Sequence, residues 1–281
     1  MQHGAQLPYR DTGRSADQGI SIGWLNVQSL RNKTDAVEEL VRDRSLDVLA
    51  LTETWHTDSD DVCLRLATPE GYAMTDVARG HAGGGGVAVI FKKSLKCSRV
   101  PVPTSSTFEA ICVRLTSARD QVVVLNVYRP GSEKPSAQFF DELTAVLESL
   151  VINACPVVVG GDFNVRFQVA ADPDSRRLSD VLSSFDMVQH VGGATHRCGN
   201  TLDLVMTFAD YQLDAVTVDP PGIVSDHALS PLLGRDRDVA GSTDHTADSF
   251  AEFFDKKVRD VRSATAGLPP PPASRLSLIH I

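Results

Sequence analysis

The sequence predicts a layered α/β domain in which two sheets pack together and helices cover them. Short apolar runs, each of strand length and each ending on polar residues, alternate with stretches of helical periodicity. Some runs are apolar throughout, as in a strand buried on both faces, whereas others alternate, as in a half-buried strand. The 281 residues, 42% hydrophobic and 22% charged, suit one large domain of this kind with a tail.

Residues 1–19 are polar and are expected to be disordered. ISIGWLN, ending at Asn26, is the first strand, and KTDAVEELVRD then gathers Val37, Leu40 and Val41 on one helix face. LDVLALTE is a strand ending at Glu53. GGGGVAVIFK is another, entered through a glycine run at 83–86 that lacks a GxGxxG or GxxxxGK[ST] pattern and reads as a flexible loop. EAICVRL alternates as a half-buried strand does, and VVVLNVY ends at Tyr128. SAQFFDELTAVLESLV places Phe139, Phe140, Leu143, Val146, Leu147 and Leu150 on one helical stripe. In PVVVGGDFN, three valines suit a central strand and two glycines allow a turn or a close approach. Asp162 and Asn164, two apart, are expected on one face, although DFN alone could be an Asx turn closing the strand. RLSDVLSSFDM is helical, with Leu178, Val181, Leu182 and Phe185 together, and TLDLV sets Asp203 within a strand. A boundary near Gly234 separates this domain, residues 20–233, from a linker at 234–281. That linker holds an amphipathic helix at about 247–263 and a proline-rich tail.

Five widely spaced cysteines with no CxxC pair argue against a disulfide framework or a zinc ribbon and suit a reducing compartment. No run reaches the roughly 18 apolar residues of a membrane span, and the N-terminus has no signal-peptide core, so an intracellular protein without a membrane partner is expected. The formal net charge of -9 lies entirely before residue 241, where 31 acids face 22 bases. An acidic body can still act on a polyanion if its carboxylates hold a divalent cation and its rim is basic.

The polar ends of these runs carry the chemistry. Glu53, Asp162 and Asp226, with the Asn26 amide, form an all-oxygen set suited to Mg²⁺ or Mn²⁺, and His227 adds an imidazole. Such a set has the parts for metal-assisted displacement at phosphorus. Asp203, among apolar neighbours, needs a partner to be buried. His56, His81, His190 and His196 show no ligand spacing and read as surface or loop residues.

The series WLNVQSL, LALTETW, NVYRP, VVGGDFN, GNTLDLV and SDH resembles, in wording and order, the endonuclease/exonuclease/phosphatase superfamily over about residues 20–232. Within it, the motifs look like the apurinic-type endonuclease domain of non-LTR (LINE, Jockey-like) retrotransposon polyproteins. The resemblance implies a four-layered α/β sandwich, Mg²⁺ or Mn²⁺ as cofactor, no small-molecule cofactor, and hydrolysis leaving a 3′ hydroxyl. It implies that Glu53, Asn26 and Asp226 bind metal, that Asp162 with Asn164 beside it aligns the attacking water, and that His227, oriented by Asp203, meets the scissile phosphate. Tyr128 and Thr195 resemble phosphate-contacting groups and Ser225 a supporting residue. Two positions depart from the pattern: Gly131 stands where many members have asparagine, and Gln28 where abasic-site enzymes have aspartate.

Arg31, Lys33, Arg129, Arg166 and Arg197 follow these motifs and form a candidate DNA-backbone rim, one or two of which are expected to point elsewhere. The expected protein is a metal-dependent endonuclease that nicks double-stranded DNA in the nucleus and primes a downstream reverse transcriptase domain. The alternatives are a phosphodiesterase or phosphatase of the same superfamily acting on RNA, a phosphoinositide or a phospholipid, and a nucleic-acid-binding remnant without chemistry.

Overall fold

The computed structural model describes residues 19–57, 62–79, 84–209, 211, 215–222 and 224–233. The helix expected at about 247–263, the proline-rich tail and residues 1–18 lie outside the described residues. In chain order the elements are β1 (Ile22–Asn26), α1 (Thr34–Asp43), β2 (Val48–Thr52), α2 (Val62–Leu66), β3 (Tyr72–Val77), β4 (Val87–Lys92), β5 (Lys96–Arg99), β6 (Glu109–Thr116) and β7 (Gln121–Tyr128). They continue with α3 (Ala137–Val151), β8 (Val157–Asp162), α4 (Pro173–Ser184), β9 (Met187–Gln189), β10 (Asp203–Phe208), β11 (Ala215–Val216) and β12 (Ser230–Leu233).

The strands form two six-stranded mixed sheets, ordered β11-β12-β1-β2-β4-β3 and β5-β6-β7-β8-β10-β9. β1 runs parallel to β2 and β7 parallel to β8, so each sheet has a parallel pair at its centre. Their apolar faces meet through Ile22, Trp24, Val48 and Ala50 of one sheet and Val113, Val124, Val158 and Val205 of the other. The outer face of the second sheet is covered by α3 and α4, where Phe139, Leu143, Leu147, Leu178 and Leu182 pack on Val157 and Val159. The outer face of the first is covered by α1 and α2 through Val37, Leu40, Val41 and Leu64. Helix, sheet, sheet and helix make the four-layered α/β sandwich.

The alternation of β8 divides its side chains between two cores: Val157 and Val159 face the helices, whereas Val158 and Gly160 face the other sheet. Gly160 is there for space, since a Cβ would lie 2.5 Å from Nε1 of the buried Trp24. Gly161 has φ +128°, and a Cβ would meet the Val127 carbonyl oxygen at 2.0 Å. Asn126 ties the sheets with a polar bond, its buried Nδ2 donating to the Leu51 carbonyl.

Helix positions agree with the periodicity, because long apolar stripes bury against the sheets. α4 starts earlier than its stripe, at Pro173, because Asp172 caps it by accepting from the Asp174 amide. The edge strands β3 and β5 and the short β9, β11 and β12 carry little apolar signal, and only pairing with their neighbours defines them.

Candidate active site

Register places the polar strand ends side by side. In the second sheet Tyr128 pairs with Asp162 and Asp162 with Asp203, so three of the candidate residues occupy one row across β7, β8 and β10. In the first sheet Asn26 pairs with Thr52, which puts Glu53 beside Asn26. The Asn26 amide joins the two sheets: Nδ2 donates to Glu53 Oε1 and to Asp162 Oδ2, both at 2.8 Å.

Asn164 does not continue the strand. β8 stops at Asp162, and Asn164 curls back with φ +49°. Its backbone amide donates to Asp162 Oδ1 and its Nδ2 to Asp162 Oδ2, each at 2.9 Å, so the Asx turn and the functional pairing are one structure. Gly131, the departure from the family's asparagine, leaves room for that side chain, since a Cβ there would sit 2.7 Å from Asn164 Oδ1.

Asp162 is fully buried, which pushes its pKa up; the charge of Asp203 adds to this, while His227 and the hydrogen bonds from Asn26 and Asn164 pull the other way. The net direction is upward, as a base working near neutral pH requires. His227 Nδ1 meets Asp203 Oδ2 at 2.8 Å, which leaves Nε2 for a substrate. Burial opposes its charge, but the hydrogen bond and charge of Asp203, with the charges of Asp162 and Asp226, hold its pKa up at about 9. Tyr128 is buried, and burial with the charges of Glu53 and Asp162 drives its pKa upward, so the phenol is a donor.

Several expected contacts lie one step further back. Thr195 is buried, its Oγ1 accepting the amides of Leu202 and Asp203 at 3.0 Å, so it positions Asp203 instead of opening onto a phosphate. Ser225 supports the site by donating to the Asn26 carbonyl and accepting the His227 amide. Arg129 is no rim cation: its buried guanidinium donates to the carbonyls of Phe163, Pro130, Glu133 and Asn164 and locks β7 to the turn after β8. Lys33 also turns inward, its ammonium donating to the Val27 and Gln28 carbonyls. Burial lowers its pKa against the charges of Asp226 and Glu53. Arg31, Arg166 and Arg197 are exposed, with Arg166 paired to Asp172 and Arg197 Nε 3.5 Å from Asp226 Oδ2.

The metal donors are more dispersed than expected. Among the described residues, two groups of His, Cys, Asp or Glu are close enough to share an ion: His196, Asp226 and His227, and Asp162, Asp203 and His227. Glu53 stands in neither, although the Asn26 amide links it to Asp162. The donor chemistry nonetheless fits a hard cation. Asp226 Oδ1 is buried with no hydrogen-bond partner, and the neighbouring carboxylates are hard oxygen donors of the kind such an ion takes.

Three residues escaped the sequence reading. His196 lies against His227, ring centroids 4.9 Å apart, with Nε2 3.3 Å from Asp226 Oδ2, because residues 195–197 and 226–228 pair as a short bridge. His56 is buried between Thr54 Oγ1 and Asp76 Oδ2 rather than lying in a surface loop. Arg79 lies 5.6 Å from the centre of the Tyr128 ring and pairs with Glu109. A strand-end motif gives a signal for the first alone, since His196 follows Thr195.

Residues 23–227, which span every residue of this cluster, match the Endonuclease/Exonuclease/phosphatase family. The chain belongs to that family. Solved structures share its fold at low identity. The endonuclease domain of TRAS1, a telomere-specific non-LTR retrotransposon, aligns with 14% identity and a TM-score of 0.63 over 78% of this chain and 99% of its own. The AP endonuclease LMAP from Leishmania major aligns with 16% identity and a TM-score of 0.65, covering 81% and 91%. The 3′ phosphatase NExo from Neisseria, bound to a product DNA hairpin, aligns with 18% identity and a TM-score of 0.57, covering 77% and 100%. No curated protein matches the chain significantly. Among the described residues no helix is long and apolar enough to cross a membrane.

Proposed function

We propose that this chain is a metal-dependent DNA endonuclease that nicks one strand of a duplex and leaves a 3′ hydroxyl from which an associated reverse transcriptase extends. The carrying observation is the row Tyr128, Asp162, Asp203, joined to Asn26 and Glu53 across the two sheets and to His227 through Asp203.

Each residue has work in hydrolysis of a phosphodiester. Asp162, raised in pKa and held by three hydrogen bonds from Asn26 and Asn164, accepts the proton of the attacking water and fixes its direction. His227, kept cationic by Asp203, donates to a phosphate oxygen and offsets the charge that grows there. Tyr128 presents a phenol held protonated by burial and by its acidic neighbours Glu53 and Asp162. Glu53 and Asp226, with Asn26 beside them, are the residues that would hold Mg²⁺ or Mn²⁺, which supplies further charge neutralisation at the phosphate.

Exposed Arg31, Arg166 and Arg197 suit the backbone of a long polyanion. The mobile-element reading rests on WLNVQSLRNK, ALTETW, GDFNV and SDH, and the TRAS1 endonuclease domain shares the fold. Action on chromosomal DNA would place the protein in the nucleus. Supercoiled plasmid incubated with the purified chain in Mg²⁺ is expected to become open circles whose nicks a DNA polymerase extends without end repair. Plasmid left supercoiled in Mg²⁺ and in Mn²⁺, or nicked equally in EDTA, would refute the proposal.

A further inference from the structure

Among the described residues Trp55 is the one aromatic side chain among the exposed large hydrophobics, at 52% exposed, whereas the chain's other tryptophan, Trp24, is 1% exposed. Tryptophan is among the residues most buried on average, so an open indole two residues from Glu53 needs a reason. Its backbone adds to that need, because φ is +54°, a region that bulky residues rarely enter and that functional sites often hold. The conformation is over-determined: the Thr54 amide donates to the Gly86 carbonyl and the Trp55 amide to the Gly85 carbonyl. The indole Nε1 donates to Glu53 Oε2 at 3.2 Å, and Glu53 Oε1 accepts from the Asn26 amide that also bonds Asp162. The ring is thus anchored by its polar edge to the active-site network while about half of the residue stays in solvent.

We infer that Trp55 is a stacking platform for a nucleobase next to the scissile phosphate. The inference rests on the proposed DNA substrate and goes beyond it, because it names the part of the nucleotide that the site would grip and the residue that would grip it. A flat aromatic face stacks on any base, and a ring fixed by a hydrogen bond gives up little freedom when it does so. A base splayed from its neighbours would lie against Trp55 while its phosphate approaches His227 and Asp162. Phosphate contacts alone would not distinguish a nucleotide from another phosphodiester.

The test uses the full chain in EDTA, so that nothing is cut, with fluorescein-labelled duplexes carrying either a two-base bulge or no bulge. Trp24 is buried, so a fall in tryptophan fluorescence on DNA binding reports Trp55. Stacking predicts that quench, and a loss of affinity of about 5- to 150-fold for the bulged duplex in Trp55→Ala. It also predicts near-native affinity in Trp55→Phe, which keeps a face but loses the N–H. Equal losses in Ala and Phe, with no quench, would show that the indole only positions Glu53 and would overturn the inference while leaving the endonuclease reading intact. DNA bound with native affinity by Trp55→Ala would overturn it as well. No binding of either duplex by the wild type would remove the substrate on which both readings rest.

Discussion

Replacing Asp203 with asparagine should flatten the dependence of stability on pH, because Asp203 is what keeps His227 charged. The imidazole rises from 6.5 to about 9 although burial acts to lower it, and its side chain is only 5% exposed, so solvent screens the pair little. At 1.36 kcal/mol for each pH unit, that rise is worth about 3 kcal/mol of folding free energy. Because the folded pKa lies above the unfolded one, this stability is fully present below pH 6.5 and is lost as pH rises through about 9. Asp162 is also raised and titrates in the same sense, and Asp203 contributes to its rise, so the substitution reduces both effects. The assay is urea unfolding in EDTA at intervals from pH 6 to pH 10. Wild-type stability should fall by about 3 kcal/mol or more across that range, and that of Asp203→Asn by much less. Parallel curves for the two proteins would refute the argument that the Asp203 hydrogen bond sets the charge of His227.

Gly160→Ala should cost about 1–3 kcal/mol in urea unfolding, because the new methyl lies 2.5 Å from the Trp24 indole between the sheets; an unchanged midpoint would contradict that packing. Arg129→Met should lower the melting temperature by removing the donor to four backbone carbonyls, and the folded fraction should keep its DNA affinity in a gel-shift titration. Joint replacement of Arg31, Arg166 and Arg197 by glutamine should reduce the slope of log affinity against log salt by about 2–3, while Lys33→Gln should leave that slope unchanged.

The sandwich was legible because long apolar helix stripes and fully apolar strands leave few ways to bury them. α3 and β8 show this best: six stripe residues of the one meet Val157 and Val159 of the other in one core. Edge strands were not legible, since β3 and β5 are partly or fully exposed and hydrogen bonding to a neighbour, not composition, makes them strands. At the site, order and wording brought Asp162, Asp203 and His227 forward together, and the structure sets them side by side: Asp162 and Asp203 share a row of strand ends, and His227 is hydrogen-bonded to Asp203. Direction was the part that sequence could not give. Arg129 follows Tyr128 at least as closely as Arg166 follows Asn164, and Lys33 comes at the end of the WLNVQSLRNK motif, yet backbone carbonyls capture both, and such acceptors leave no trace in composition. His196 was hidden for a related reason, since a bridge between two loops sets it against His227.

The most direct measurement is single-turnover nicking of a plasmid in Mg²⁺ by wild type and Asp162→Ala, with matched circular dichroism spectra to establish equal folding. The account predicts a rate lower by about 10²–10⁴-fold in the variant, the contribution of a positioned general base, with DNA affinity largely retained. A variant that cuts at the wild-type rate would contradict the assignment of Asp162, and with it the reading of this strand-end row as a phosphodiester-hydrolysing centre.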